Sequence, residues 1–117
     1  MRKPTTKAAL KPETANRITA NIIRILTIQG AFVTRINTVG IWDAAKGVYR
    51  TTTQRKGTPD IIACYKGWFM SFEVKAGKDK HSPEQQQVQQ EIEKAGGACV
   101  VIRSTDDFIV WFNDHKK

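Results

Sequence analysis

The sequence predicts a mixed α/β fold, in which a mixed β-sheet carries helices on its faces. Three observations predict it. Apolar residues recur at helical spacing between Ile18 and Leu26, two apolar segments rich in aromatic and β-branched residues flank Lys66-Gly67, and a helix-start pattern begins at Ser82. This alternation of helical and strand patterns is typical of a sheet packed against helices.

Composition bounds the class of protein and its partner. The chain has 117 residues, of which 40% are hydrophobic and 26% charged, as expected of one globular domain. Its 19 Lys and Arg against 11 Asp and Glu give a formal charge of +8, which favours DNA or RNA as partner over a membrane surface.

The sequence has no apolar stretch typical of a signal peptide or membrane span, so we expect a cytoplasmic protein. Cys64 and Cys99 form no Cys-x-x-Cys pair, which favours two reduced, partly buried thiols.

The first part of the chain is interpreted as a basic arm, a helix and a strand. Residues 1–11 lack an apolar period and are expected to be a flexible arm before a single domain over residues 12–117. A helix is predicted from Glu13 to the stop signal at Gly30. A partly alternating strand follows over residues 31–37. The inward face of the predicted helix comprises Ile18, Ile22, Ile25, Leu26 and Gln29.

A long basic loop and a hairpin are predicted next. Residues 38–58 are weakly patterned and basic, which is typical of a functional or mobile loop. Residues 60–65 and 68–75 are predicted to form a hairpin with a two-residue turn at Lys66 and Gly67.

The last third of the chain predicts a helix, a strand and a helix. Ser82, Pro83 and Gln85 have the spacing of an N-cap, a first helical position and a capping box. The second helix should end at Gly96-Gly97 and be followed by a buried strand over residues 98–102 and a helix from Thr105 to Asn113. The expected packing residues are Gln85, Val88, Ile92 and Ala95 in the second helix, and Phe108, Val110, Trp111 and Phe112 in the third.

The hairpin register brings two acids together. With Lys66 and Gly67 as the turn, Asp60 lies opposite Glu73, and opposed residues have Cβ atoms about 4.5–5.5 Å apart on one face. Lys75 projects to the same face. The two carboxylates repel by roughly 3 kcal/mol at an effective dielectric near 20. A divalent cation between them removes this conflict, and the alternative is that Lys75 neutralises one acid at a solvated strand end.

These residues also carry a family resemblance. Gly57-Thr58-Pro59-Asp60 followed by Glu73-Val74-Lys75 resembles the signature of PD-(D/E)xK nucleases, and with Ser82-Pro83-Glu84-Gln85 it resembles their virus-type replication-repair (VRR-NUC) branch over about residues 16–108. The resemblance implies a restriction-endonuclease-like fold and a DNA phosphodiesterase that uses Mg²⁺, for which Mn²⁺ substitutes. Stand-alone members dimerise and cut branched DNA such as Holliday junctions. A bacterial or phage-infected cell is the expected setting.

The resemblance also assigns roles to residues. Asp60 and Glu73 would be metal ligands, and the carbonyl of Val74 would add a third oxygen. Lys75 would position or help deprotonate the attacking water and offset charge at the phosphate. Gln85 would face the site, although the capping box alone also explains a glutamine at this position.

The first helix departs from the family pattern. Many relatives carry a Glu there, and the corresponding position in this sequence falls near Ala15 or Asn16. Asn16 could supply a neutral oxygen, and Glu13 could reach the site from the first helical turn, where an acid also suits the helix dipole.

Several cations are expected to contact DNA phosphates. Arg35 and Asn37 resemble the family's Arg-x-Asn stretch, although Arg35 is also explained as a surface arginine. His81 is interpreted as an exposed loop residue rather than a general base. The cations of the loop and of the turn before the second helix are Arg50, Arg55, Lys56, Lys78 and Lys80. The three tryptophans, which belong either to the core or to a dimer surface, are Trp42, Trp68 and Trp111.

Rival functions remain open from the sequence. A flap or nicking endonuclease and an exonuclease would use the same scaffold, and an RNA nuclease would differ only in substrate. A non-catalytic DNA-binding module could keep the fold, although the intact acids and Lys75 argue against it.

Overall fold

The computed structural model describes residues 12–36, 41–50, 55–77 and 80–116. The predicted arm, Asn37 and Lys78 lie outside them, and only the backbone of Trp42 and Arg50 is described. The elements are α1 (Ala15–Ile28), β1 (Phe32–Arg35), β2 (Ile41–Asp43), β3 (Val48–Arg50), β4 (Ile61–Tyr65), β5 (Trp68–Val74), α2 (Pro83–Lys94), β6 (Ala98–Ile102) and α3 (Thr105–His115).

Four strands form the mixed sheet that the sequence predicts, in the order β1-β4-β5-β6. The first three are antiparallel to their neighbours, and β6 runs parallel to β5 after the crossover through α2. Helices α1 and α3 pack on one face, and α2 packs on the other beside β6. The sheet is therefore flanked by helices on both faces.

The core lies between the sheet and the pair α1 and α3. The ring of Phe72 on β5 meets Phe108 of α3 edge-on, with ring centroids 5.3 Å apart. Helix α1 contributes fully buried apolar side chains to the same cluster, as its periodicity predicts. They are Ile18, Ile22 and Leu26.

The central hairpin has the predicted register. Tyr65 pairs with Trp68 and Ile61 pairs with Phe72. Both turn residues have positive φ, +50° at Lys66 and +80° at Gly67, as a type I′ turn requires. The β4–β5 pairing ends at Ile61 and Phe72, one pair before the predicted pair of Asp60 and Glu73. The two acids and Lys75 therefore lie just beyond the open end of the hairpin ladder.

The prediction of one long loop over residues 38–58 is wrong for its centre. Strands β2 and β3 form a separate antiparallel hairpin, with Asp43 opposite Val48. Asp43 Oδ1 accepts hydrogen bonds from the N–H groups of Ala45 and Lys46, and Gly47 closes the turn with φ +66°. Strands of three residues are too short to show a period, so the turn chemistry was their only signal.

Helix α1 begins later than predicted. Thr14 is its N-cap, and its hydroxyl accepts the N–H of Arg17 at 3.1 Å. Glu13 therefore precedes the helix and does not occupy its first turn. Its carboxylate instead accepts the N–H and the hydroxyl of Thr105, at 2.8 and 2.6 Å, and so joins the starts of α1 and α3.

Four smaller expectations also differ from the structure. Ala95 and Val110 are exposed, since Ala95 caps the C-terminal end of α2 and Val110 falls on the outer side of α3. Cys64 is exposed on the sheet face, whereas Cys99 is buried as expected. Helix α3 extends two residues beyond Asn113, to His115.

Candidate active site

The two predicted acids share the α2 face of the sheet. Ile61 and Phe72 lie in the core on the opposite face, and side chains alternate along a strand, so Asp60 and Glu73 project towards α2. The backbone N–H of Asp60 donates to the carbonyl of Phe72 at 3.1 Å. Asp60 Oδ2 accepts the N–H of Val74 at 2.8 Å. Asp60 is thus attached to β5 although the ladder ends before it.

Glu73 is a buried acid with one oxygen left without a partner. Its side chain is 1% exposed, and Oε2 accepts a hydrogen bond of 2.6 Å from Gln85 Nε2. Oε1 is buried and has no hydrogen-bond partner. Burial and the nearby charge of Asp60 raise the pKa of Glu73 to about 7, against the opposing effect of Lys75. Leaving a buried carboxylate oxygen unpaired is costly, so the site is arranged for something other than stability.

Gln85 fills both of the roles that the sequence left open. Its Oε1 accepts the N–H of Ser82 at 2.9 Å, and its own N–H donates to the Ser82 hydroxyl at 3.1 Å, which completes the capping box. Its amino group at the same time donates to Glu73. The two roles use opposite ends of the amide, so the helix cap fixes the donor that orients the acid.

The carbonyl of Val74 lies on the same edge of β5 as Asp60. The N–H of Lys75 donates to Ile102 of β6 at 2.9 Å. Because the peptide bond is planar and trans, the carbonyl of Val74 points away from β6, towards the β4 side. The N–H of Val74 already binds Asp60 on that side. The backbone therefore offers a neutral oxygen beside the acid pair.

Gly57 brings the loop before Asp60 against α2, which sequence reasoning did not detect. Its φ is +89°, and a Cβ placed on it would lie 2.5 Å from the carbonyl oxygen of Glu84 and 2.9 Å from the backbone nitrogen of Gln85. Only glycine permits both this conformation and this approach. The signal in the sequence was a glycine three residues before the first acid.

Lys75 lies near both Glu73 and His81, since its charge affects the pKa of each. Lys75 is partly exposed, and its charge lowers the pKa of Glu73. His81 is only partly exposed and its Nε2 is buried without a partner, so the expectation of an exposed loop residue is wrong. Burial, Lys75 and Arg103 together lower its pKa, because all three disfavour the charged ring.

Arg35 and Asn16 meet at the same end of the sheet but on its other face. Arg35 pairs with Ile61, whose side chain lies in the α1 face, and its guanidinium donates to Asn16 Oδ1 at 3.3 Å. The N–H of Ile36 donates to the carbonyl of Asp60 at 2.7 Å. The end of β1 is therefore joined to the backbone of Asp60, while the Arg35 side chain faces α1.

Acids of α2 hold the cations that precede β4. Arg55 forms a two-pronged ion pair with Glu91, with Nη1 2.7 Å from Oε1, and this contact lowers the pKa of Glu91 to about 2. Lys56 Nζ lies 4.0 Å from Glu84. Lys80 is exposed. The side chains of Arg55 and Lys56 therefore lie along α2 in this structure.

The fold is that of a small α/β domain with an acid pair at the open end of its hairpin, and solved structures share it. One, described as a VRR_NUC domain, has a TM-score of 0.65 at 18% identity and covers 90% of this chain and 100% of its own. Another, a VRR_NUC domain protein, has a TM-score of 0.62 at 20% identity and covers 92% and 91%. No family model and no curated protein matches the sequence. The chain has the VRR_NUC fold that its residues predict.

The donor set fits a hard divalent cation. Within the described ranges, no group of three or more His, Cys, Asp and Glu side chains could hold a metal ion. The site instead combines two carboxylates with a backbone carbonyl, and the buried, unpartnered Oε1 of Glu73 is the observation that calls for a ligand. Oxygen ligands of this kind suit Mg²⁺ and Mn²⁺.

No helix of the described residues is long and apolar enough to cross a membrane.

Proposed function

We propose that this protein is a Mg²⁺-dependent DNA endonuclease of the PD-(D/E)xK type that hydrolyses phosphodiester bonds. The observation that carries the proposal is Glu73, a buried acid held by Gln85 beside Asp60 with one oxygen unpaired. Such an arrangement is unfavourable on its own and is relieved by a bound cation. The VRR_NUC fold supports the same conclusion.

The chain would hold the ion with Asp60, Glu73 and the carbonyl of Val74, and Mn²⁺ would substitute for Mg²⁺. A bound divalent ion supplies charge stabilisation at phosphate and a more acidic water. The protein holds each carboxylate in one orientation, Asp60 through the Val74 N–H and Glu73 through Gln85. Lys75 contributes a positive charge beside Glu73, where negative charge builds up on a phosphate undergoing hydrolysis.

Basic residues around the site would hold the DNA backbone. Lys80 is exposed beside α2, and Arg35 lies at the same end of the sheet. Arg55 and Lys56 would reach phosphates by leaving their acidic partners on α2. The further candidates, whose side chains lie outside the described set, are Asn37, Arg50 and Lys78. Asn16 and Glu13 remain candidates for a role from the start of α1.

We propose branched DNA as the preferred substrate, in the cytoplasm of a bacterial or phage-infected cell. The experiment compares cleavage of a four-way junction, a flap, a linear duplex and a single strand, each with Mg²⁺ and with EDTA. The proposal predicts fastest cleavage of the junction with Mg²⁺ and none with EDTA.

The other outcomes separate the rivals. Equal rates on all substrates would reject selectivity but keep the nuclease. Preference for the flap, or release of mononucleotides from ends, would favour the alternative nucleases. Binding without Mg²⁺-dependent cleavage of any substrate would favour a non-catalytic DNA-binding module.

We further propose that the protein acts as a homodimer. Phe32, Cys64 and Phe69 lie side by side across β1, β4 and β5, on the part of the sheet that α2 leaves exposed. A second copy would cover this apolar row. Light scattering should give twice the mass of one chain for the wild type and a single chain mass for Phe32→Ser, and a wild-type monomer would reject the dimer.

A further inference from the structure

A cavity of about 450 Å³ lies at the end of the hairpin remote from the acids. It is lined by Tyr65 and Trp68 on either side of the type I′ turn, by Lys66 within the turn, and by His115 in the last turn of α3. Five strand residues at about 3.3 Å each separate it from the acids, a distance of roughly 17 Å. The proposed hydrolysis has no use for this cavity.

Aromatic rings form a fixed platform at the cavity. Trp68 stacks on Trp111 with centroids 5.8 Å apart, and Trp111 stacks on His115 at 5.1 Å, with interplanar angles of 26° and 19°. The ring of Tyr65 is fixed edge-on against Phe112 at 5.3 Å. Because these rings already pack on one another, a planar ligand would find its stacking surface formed in advance.

Two lysines lie over aromatic rings at this end of the molecule. Lys66 Nζ lies 5.2 Å from the centre of the Tyr65 ring, and Lys116 Nζ lies 5.5 Å from that of Phe112. His115 Nδ1 donates to the carbonyl of Trp111 at 2.8 Å, so Nε2 is the ring nitrogen left for another partner. No acidic side chain among the described residues lines the cavity.

We propose that this cavity binds an unpaired nucleotide, with its base on the aromatic rings and its phosphate near Lys66 and His115. A flat ring with an attached anion matches both the stacked platform and the cations. Bases in an intact duplex are stacked on one another, so only an unpaired base can enter. The inference rests on the proposed function only in taking DNA as the ligand.

The test measures quenching of tryptophan fluorescence in EDTA, where no cleavage occurs, by an eight-residue oligothymidylate and by a blunt duplex. His115→Ala removes an exposed outer ring. Lys66→Asn removes the charge but tolerates the positive φ of the turn. Each variant is expected to weaken single-strand binding by about fivefold or more, with duplex binding changed by less than about twofold. Lys94→Ala, which removes a charge at the end of α2, is the control and should follow the wild type.

The result that overturns the proposal is single-strand binding by both variants within about twofold of wild type, or an equal loss of single-strand and duplex binding. Cleavage of the four-way junction with Mg²⁺, measured on the same preparations, separates this failure from failure of the proposed function. If the wild type cleaves but the variants keep wild-type single-strand binding, only the nucleotide-binding role of the cavity is rejected. If the variants selectively lose single-strand binding but the wild type does not cleave, only the nuclease is rejected.

Discussion

At the level of single residues, Gln85 combines a helix cap with a hydrogen bond to a buried acid. Gln85 uses its carbonyl end to cap α2 and its amino end to hold the buried Glu73. The sequence alone offered these as alternatives because a capping box and a site residue predict the same amino acid. Only the position of α2 over β5 shows that Gln85 makes both contacts.

Replacing Gln85 should separate the two roles when it is compared with a change at the cap. Gln85→Ala removes the donor to Glu73, so cleavage should fall about 10- to 100-fold, as for partners that orient metal ligands. Ser82→Ala removes the capping hydroxyl but keeps the amide, so it should lower the melting temperature and keep most of the activity. Steady-state cleavage and circular dichroism are the measurements. Equal losses of activity in both variants would contradict the orienting role.

Glu73→Gln should stabilise the metal-free protein in a pH-dependent way. The folded pKa of about 7 lies above the ordinary value of 4.5, so the folded protein retains a proton that the unfolded chain releases between these values. The wild type therefore loses stability as pH rises from about 4.5 to about 7, and the variant does not. Melting in EDTA should show the variant's advantage to be larger at pH 8 than at pH 5. An advantage that is equal at both pH values would contradict the assignment.

At the scale of elements, the site depends on how closely the loop before β4 approaches α2. Gly57 permits this contact with Glu84 and Gln85 in the first turn of α2, the turn from which Gln85 reaches Glu73. The acids lie at the end of one hairpin, and their orienting amide comes from another element. A change in the loop should therefore alter the chemistry as well as the stability.

Gly57→Ala tests this contact against a matched glycine. Gly30 has nearly the same φ, +87°, but a Cβ there would meet nothing within 4 Å. Gly30→Ala should cost about 1 kcal/mol of unfolding free energy through backbone strain alone and leave cleavage unchanged. Gly57→Ala adds a clash with α2, so it should cost more and reduce cleavage. Urea unfolding and cleavage rates check both, and similar behaviour of the two variants would refute the role of the contact.

Local chemistry explains which elements were predictable. The Lys66-Gly67 turn fixed the register of the central hairpin, and the capping box fixed the start of α2, because both signals lie within a few residues of the structure they determine. The hairpin of β2 and β3 was missed because its strands are too short to show a period. The approach of Gly57 to α2 and the pairing of Arg55 with Glu91 depend on residues distant in sequence.

At the level of the whole molecule, the formal charge of +8 favours a nucleic acid as partner but does not show which cations contact it. The sequence predicted Arg55 and Lys56 as phosphate contacts, and the structure pairs Arg55 with Glu91 and places Lys56 Nζ 4.0 Å from Glu84. Arg35, which the sequence also predicts as a phosphate contact, lies at the same end of the sheet as the acids with its side chain towards α1. The order of elements could be predicted from local patterns, whereas the face on which each cation lies could not.

Junction cleavage by Asp60→Asn in Mg²⁺ tests whether Asp60 and Glu73 form a metal-dependent nuclease site. Asparagine keeps an oxygen for the Val74 N–H, so the fold should persist while the charge is lost. We expect a loss of cleavage greater than about 100-fold, with DNA binding in Ca²⁺ or EDTA retained. Cleavage by Asp60→Asn at the wild-type rate would contradict it.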